Sequence, residues 1–191
     1  PFEIGGGDLI RCGVSIGAAM CPDHAETVEE LVGRADVALY HAKNSGRNTF
    51  RIFKPGMNTL IEKRRALEVD LDAGIARGEF ELFLQPRVDV VSAEVTSYEA
   101  LLRWHHPERG IVSPVDFIPV AEASGKIIAL GEWAIREACR MLSLEANVGR
   151  LSINVSPIQF RHTDFRRRLD EIVRTAGVET KRLELEITES V

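Results

Sequence analysis

The sequence predicts an α/β protein in which most of the chain forms strands and helices in alternation. From about residue 79, short runs rich in apolar and β-branched residues alternate with amphipathic helical segments. Strand, helix, strand in that order is typical of a parallel sheet covered by helices. The first 53 residues have a simpler pattern of strand, helix and strand, and a charged segment over 54–78 separates the two regions.

The composition indicates a soluble globular chain and excludes several classes of function. Hydrophobic residues make up 45% of the chain and charged residues 28%, which is ordinary for a folded domain. The net charge of -5 argues against a general nucleic-acid-binding surface, so a phosphate-bearing ligand needs a few local cations or metal ions. No segment approaches the roughly 18 apolar residues of a membrane span. The cysteines Cys12, Cys21 and Cys139 are odd in number and scattered, which suits reduced thiols of a cytosolic protein.

The first region reads as strand, helix, strand. Residues 9–20 are strand-like, and a helix is expected over 26–44, with Thr27 as its N-cap and Glu30 at the capping-box spacing. Gly46 belongs to the stop signal of that helix, and TFRIF at 49–53 predicts a short strand.

The charged segment predicts a helix over 58–77. Its apolar residues fall on one stripe, formed by Leu60, Leu67, Leu71 and Ile75. A solvated opposite face suits a semi-rigid connector.

The second region predicts strands near 80–88, 95–103, 150–155 and 182–188. A Ser-Pro pair at 113–114 begins one helix between them, and Gly177 ends another. In the first region, the glycines and aspartate over 5–8 predict a turn that leads into the first strand.

Polar residues mark the ends of the predicted strands. These residues are Glu99, Asn154, Glu186 and Glu189. In a parallel α/β barrel such ends converge on one face, and carboxylate and amide oxygens suit Mg²⁺ or Mn²⁺. Arg103 adds a planar fork suited to a phosphate oxygen. Together they are the residue types of a metal-dependent phosphodiester hydrolase; carboxylates with only a surface or structural role are the alternative.

Two other features favour structural roles. His105 and His106 are adjacent on a strand and therefore point to opposite faces. The basic run Arg166 to Arg168 is followed by Asp170 and Glu171, which indicates a solvated helix face.

Several motifs from about residue 80 onward resemble those of the EAL domain family. Members of this family are bacterial cyclic-di-GMP phosphodiesterases with a TIM-like (β/α) barrel fold. The motifs are QPRVD at 85–89, YEALLRW at 98–104, HPERGIVSPVDFIPVAEASG at 106–125, LGEW at 130–133, NVSPIQF at 154–160 and LELEITES at 183–190. The resemblance implies the N-terminal half of an EAL domain over 79–191. It implies Glu99, Asn154 and Glu186 as metal ligands, Gln85 and Arg103 as contacts of the substrate, and Glu189 as the glutamate that steadies a catalytic loop.

Residues 1–53 resemble the end of a GGDEF diguanylate cyclase domain through SIGAA at 15–19 and ADVALYHAKNSGRNTF at 35–50. The resemblance implies that Lys43 and Arg47 contact GTP phosphates. Gly6-Gly7-Asp8 is similar to the GGDEF signature of that family, but Leu9 and Ile10 stand where the signature has an acidic and an aromatic residue. The stretch also lies too close to SIGAA to be that signature. The segment 54–78 is then the linker helix of a tandem protein.

The resemblance leaves two functions open. One is a phosphodiesterase with two metal ions that opens cyclic-di-GMP to linear pGpG; the other is a non-catalytic cyclic-di-GMP receptor or protein-interaction module. An aspartate pair and a lysine of the family are expected downstream, so the chain alone is expected to be inactive. A homodimer through the EAL domain, GTP binding at a complete GGDEF domain and a cytoplasmic location are further expectations.

Overall fold

A computed structural model describes residues 2–4, 8–10, 13–144 and 148–187, the first two ranges as backbone only. The chain divides into two compact units, one over Pro1–Lys63 and one over Arg64–Ser190. The boundary lies inside a helix that runs from Gly56 to Arg77.

The first unit contains two small sheets and one long helix. The elements are β1 (Phe2–Ile4), β2 (Asp8–Ile10), β3 (Ile16–Ala18), α1 (Val28–Asn44), β4 (Phe50–Ile52) and the start of α2 (Gly56–Arg77). Strands β1 and β2 pair antiparallel, and strands β3 and β4 pair parallel.

Helix α1 confirms the predicted start and stop signals. The hydroxyl of Thr27 accepts a hydrogen bond from the backbone N–H of Glu30 at 3.3 Å, which satisfies one free donor of the first turn. The helix ends at Asn44, and Gly46 follows with a φ of 96°. The strand predicted over 9–20 is wrong as one element, because the chain forms β2 and β3 with a break between them.

The glycine of SIGAA allows α1 to pack directly on β3. A Cβ built on Gly17 would lie 2.1 Å from the carbonyl oxygen of Ala35 and 2.2 Å from the backbone nitrogen of Leu39. Both contacts are to backbone atoms of α1, so only glycine fits between this strand and this helix.

The second unit is one mixed sheet with helices on one face. Its elements after α2 are β5 (Phe80–Val88), β6 (Val95–His106), β7 (Gly110–Val112), α3 (Pro114–Ala123), α4 (Ile127–Leu144), β8 (Leu151–Val155), α5 (Pro157–Phe160), α6 (Phe165–Ala176), a 3₁₀ turn (Thr180–Arg182) and β9 (Leu183–Ile187). The strand order is β5-β6-β8-β9, and β7 pairs with β6.

The sheet is parallel only in part. Pairs β6-β8 and β8-β9 are parallel, as the alternation of strands and helices predicts. Strand β5 runs antiparallel to β6, because the short loop between them is too brief for the crossover that a parallel pair needs. The predicted α/β architecture is therefore confirmed, and β5, for which the sequence predicted no direction, is an antiparallel strand at the edge of the sheet.

Apolar side chains from the sheet and the helices form two core clusters. One lies under α4 and α6 and includes Leu82, Ala100, Ile153 and Cys139. The other gathers Phe80, Trp104, Phe117, Leu130, Leu67 and Leu71, with Ile75 packed against it. From Leu67 onward, the predicted apolar stripe of α2 therefore packs into the core of the second unit.

The two adjacent histidines of β6 point to opposite faces, as predicted. His105 is exposed, whereas His106 is buried and its Nε2 lies 3.1 Å from a carboxylate oxygen of Asp70. The Nδ1 atom of His106 accepts backbone N–H groups from Glu108 and Arg109, so this histidine shapes the turn before β7.

None of the helices in the described part of the chain has both the length and the apolar character that crossing a membrane requires.

Candidate functional site

A group of polar side chains lies on the sheet face turned away from the helices. Side chains alternate along a strand, and Ala100 and Trp104 of β6 are buried on the helix-covered face. Glu99 comes directly before Ala100 and therefore points to the opposite face. Asn154 lies between buried Ile153 and Val155 on β8, and Glu186 is its register partner on β9.

The structure brings together three of the residues that the sequence places at strand ends. The amide Nδ2 of Asn154 donates a hydrogen bond to Glu99 Oε1 at 2.8 Å. Glu186 stands directly across from Asn154 in the β8-β9 ladder. The sequence predicted Glu99 at or near the end of its strand. In the structure it lies near the start of β6, which continues to His106. It reaches the cluster because it lies in the segment of β6 that pairs with β8, where its partner Ser152 is two residues before Asn154.

A fourth residue, Arg87 of β5, joins the two carboxylates. Its Nη2 donates to Glu99 Oε2 at 3.2 Å and also to Glu186 Oε1. These two bonds raise the pKa of Arg87, the one to Glu186 more strongly. The arginine thus places a full positive charge between two acidic side chains.

The cluster is accessible to solvent. The side chains of Arg87, Glu99 and Glu186 are 37%, 24% and 31% exposed. A ligand or cation can therefore approach them without rearrangement of the core.

The two predicted substrate contacts lie on the same sheet face at different distances along it. Gln85 is the register partner of Glu99 and is exposed. Arg103 pairs with Glu81 further along β6, where its Nη1 donates to the carbonyl oxygen of Leu102 at 2.8 Å. Its guanidinium also lies 5.6 Å from the centre of the Phe83 ring. The structure therefore places Gln85 beside the cluster and engages Arg103 elsewhere.

The remaining predicted site residues are Lys43, Arg47 and Glu189. Lys43 and Arg47 belong to the first unit; both are exposed, and Arg47 adopts a φ of 56° in the loop after α1. Glu189 lies outside the described residues.

A hydrogen bond between two elements fixes the end of β8, next to Asn154. Ser156 Oγ donates to Glu122 Oε1 of α3 at 2.6 Å and accepts the backbone N–H of Ile158 at 3.2 Å. Ser156 is buried and is the N-cap of α5. One hydroxyl therefore connects the strand that carries Asn154 to two helices.

Two family models match the chain. The EAL domain model matches residues 68–191, and the model of the diguanylate cyclase GGDEF domain matches residues 4–49. The first match covers well over half of the sequence. The chain belongs to the EAL domain family.

Relatives of known sequence contain both parts of the chain. A protein named "Uncharacterized signaling protein" from Caulobacter vibrioides is 44% identical over 190 residues, which is 100% of this chain and 23% of that protein. "Bifunctional diguanylate cyclase/cyclic di-GMP phosphodiesterase MucR" from Pseudomonas aeruginosa is 36% identical, and 28% of it is covered. "Cyclic di-GMP phosphodiesterase PdeR" from Escherichia coli is 33% identical, and 29% is covered. The chain therefore spans less than a third of each of these relatives.

Solved structures confirm the fold class. The structure entitled "PaMucR Phosphodiesterase, c-di-GMP complex" matches with a TM-score of 0.62 at 35% identity, over 65% of this chain and 52% of that one. The EAL enzyme Bd1971 in its cAMP- and cyclic-di-GMP-bound form matches with a TM-score of 0.64 at 31% identity, over 87% and 45%. The second unit is thus part of a TIM-barrel-like EAL domain, and the prediction of a GGDEF region followed by an EAL region is confirmed.

The cluster of the EAL domain fits a hard divalent cation by the chemistry of its donors. Two carboxylates and one amide group face each other, and oxygen ligands of this kind suit Mg²⁺ or Mn²⁺. In this structure the guanidinium of Arg87 provides the positive charge at the carboxylate pair. No group of three or more His, Cys, Asp and Glu side chains suited to a metal occurs within the described ranges.

Sequence reasoning missed Arg87, although a signal for it was present. Arg87 follows Gln85 by two positions within QPRVD, and residues two apart on a strand share a face. Ser156 and Glu122 were also missed, because the sequence gives no sign that α3 packs beside the end of β8.

Proposed function

We propose that the protein containing this chain is a cyclic-di-GMP phosphodiesterase that opens its substrate to linear pGpG with a metal-activated water. The observation that supports it best is the convergence of Glu99, Asn154 and Glu186 on one sheet face of an EAL domain. Relatives named for this activity and a cyclic-di-GMP complex among the similar structures support the choice of substrate.

Glu99, Asn154 and Glu186 would hold Mg²⁺ or Mn²⁺ in this proposal. When bound, such cations lower the pKa of water and neutralise charge on a phosphodiester. Asn154 turns its Nδ2 toward Glu99, so a rotation of the amide by half a turn would present its oxygen to the cation instead.

Neighbouring residues of the same face would orient the substrate. Gln85 lies across from Glu99, within reach of a ligand seated on the carboxylates. We propose that Arg103 contacts a phosphate or a nearby group after leaving the carbonyl oxygen of Leu102. Glu189 is proposed to steady the catalytic loop, as in the family pattern.

The test is Glu99→Ala in the full-length protein. Hydrolysis of cyclic-di-GMP is expected to be abolished, since the ligand set loses a carboxylate. Glu137→Ala is the matched control, because Glu137 pairs with Arg140 on the surface of α4 and lies outside the cluster. Turnover at the wild-type level in Glu99→Ala at saturating Mg²⁺ would refute the assignment.

A second candidate is a receptor that binds cyclic-di-GMP without cleaving it. Arg87 favours this function, because its guanidinium neutralises the carboxylate pair without a metal ion. The full-length protein distinguishes the two: a receptor binds cyclic-di-GMP in the presence of Mg²⁺ and leaves it intact.

The first unit is proposed to be the end of a GGDEF domain over 1–53, joined by the helix segment 54–78 to the EAL region over 79–191. Lys43 and Arg47 are exposed and would contact GTP phosphates in a complete domain. We also propose GTP-dependent regulation of the phosphodiesterase and a homodimer through the EAL domain. A phosphodiesterase rate of the full-length protein that GTP leaves unchanged would refute the regulation.

A further inference from the structure

Arg87 connects two acidic residues that come from distant parts of the chain. Glu99 is 12 residues after it and Glu186 is 99 residues after it, and one nitrogen of the guanidinium contacts both carboxylates. A single cationic group therefore occupies the place where the two proposed ligand carboxylates meet.

We propose that Arg87 is an internal counter-ion that competes with a divalent cation for Glu99 and Glu186, and thereby sets the cation affinity of the site. This inference rests on the proposed function, because it assumes that the same carboxylates hold the cation. It assigns a role to a residue outside the three proposed ligands.

Competition follows from charge and from the number of available oxygens. Arg87 contacts Glu99 Oε2 and Glu186 Oε1, while Asn154 already contacts Glu99 Oε1. A cation that takes oxygens from both carboxylates must displace the guanidinium or bind beside its positive charge. Either event weakens binding, because like charges a few ångströms apart repel each other in a partly desolvated site.

The surroundings of Arg87 allow it to move away. The pairing register of β5 and β6 shifts between Arg87 and Val88, so regular pairing ends at this residue. The residue opposite Arg87 is Ser97, whose side chain is small, and Arg87 itself is more than a third exposed. The long arginine side chain can therefore turn toward solvent while its backbone stays in the strand.

The experiment measures Mn²⁺ binding to the full-length protein by calorimetry, without substrate. Arg87→Gln is expected to bind Mn²⁺ roughly tenfold more tightly than the wild type, since the competing charge is gone. Without metal it is expected to melt at a lower temperature, because Glu99 and Glu186 then repel each other. Arg87→Lys keeps the charge but not the fork, so its affinity is expected to lie between the two.

Two further variants make the result specific. Arg140→Gln removes the same charge from the surface of α4, where Arg140 pairs with Glu137, and is expected to bind Mn²⁺ like the wild type. Glu99→Gln removes one proposed ligand and identifies which part of the measured Mn²⁺ binding belongs to this cluster.

The outcomes separate this inference from the proposed function. If Glu99→Gln binds Mn²⁺ as the wild type does, the cation site is wrong and both proposals are refuted. If Glu99→Gln loses binding while Arg87→Gln binds equally or more weakly than the wild type, only the competition by Arg87 is refuted. Tighter binding by Arg87→Gln that disappears in the Arg87→Gln, Glu99→Gln double variant supports it.

Discussion

Replacement of Ser156 by alanine is expected to loosen the end of β8 and weaken the cation site. Ser156 Oγ donates to the Glu122 carboxylate and accepts the N–H of Ile158. A hydrogen bond to a charged group contributes about 1.5–3 kcal/mol, and loss of an N-cap costs about 1 kcal/mol. Because Ser156 is buried, water does not replace these partners freely, and we expect a local loss of about 3 kcal/mol.

Hydrogen exchange of backbone amides over 151–160 in the full-length protein measures this loss. A change of about 3 kcal/mol corresponds to exchange faster by a factor on the order of one hundred. Asn154 lies two residues before Ser156, so Mn²⁺ affinity is expected to fall in the same variant. Ser156→Thr keeps the hydroxyl and is expected to retain both properties.

The matched control is Ser143→Ala on α4, where the hydroxyl donates to the Arg140 carbonyl oxygen at 2.8 Å on an exposed surface. Its effect is expected to stay within about 0.5 kcal/mol. Exchange over 151–160 in Ser156→Ala within threefold of the wild type would show that the connection to Glu122 does not hold the strand.

Three other predictions concern the rest of the chain. Gly17→Ala is expected to speed amide exchange throughout α1, because the added Cβ would meet backbone atoms of that helix. Gly33→Ala is expected to slow the exchange, because a Cβ there has no atom within 4 Å and alanine favours a helix. Equal effects of the two substitutions would contradict the packing of α1 on β3. Iodoacetamide is expected to modify exposed Cys21 and to spare Cys139, whose burial raises its thiol pKa, which peptide mass spectrometry checks. Hydrogen bonds from backbone N–H groups and a hydroxyl lower the pKa of Asp89, so the ionised carboxylate stabilises its turn at pH values above the ordinary carboxyl pKa. This stabilisation is expected to be lost as the pH falls through the lowered pKa. Asp89→Asn is expected to loosen the turn at pH 7 in the same way, which amide exchange measures.

Local signals in the sequence predicted most elements because their causes are local. Thr27 and Glu30 determine the start of α1 by a contact within one turn, and Gly177 ends α6 with a φ of 65°. The antiparallel direction of β5 was missed, since strand propensity alone does not give direction.

The candidate site shows the same division between local and distant causes. Glu99, Asn154 and Glu186 lie on one face because alternation along strands and parallel pairing bring such residues together, while their role as metal ligands stays a prediction. The engagement of Arg103 with Leu102 and Phe83 depends on side-chain packing that spacing does not encode. The bond between Ser156 and Glu122 joins residues 34 positions apart, and only the folded structure reveals it.

The hairpin of β5 and β6 has a consequence for the order of folding. Its contacts are short in sequence, so the pair of Arg87 and Glu99 is expected to form within microseconds, as hairpins do. The parallel pairs must first close loops of dozens of residues, which costs entropy before any contact forms. Glu186 is thus expected to bind a guanidinium that Glu99 has already oriented. Arg87 would then help to align β9 while the sheet assembles, in addition to contacting both carboxylates in the folded protein.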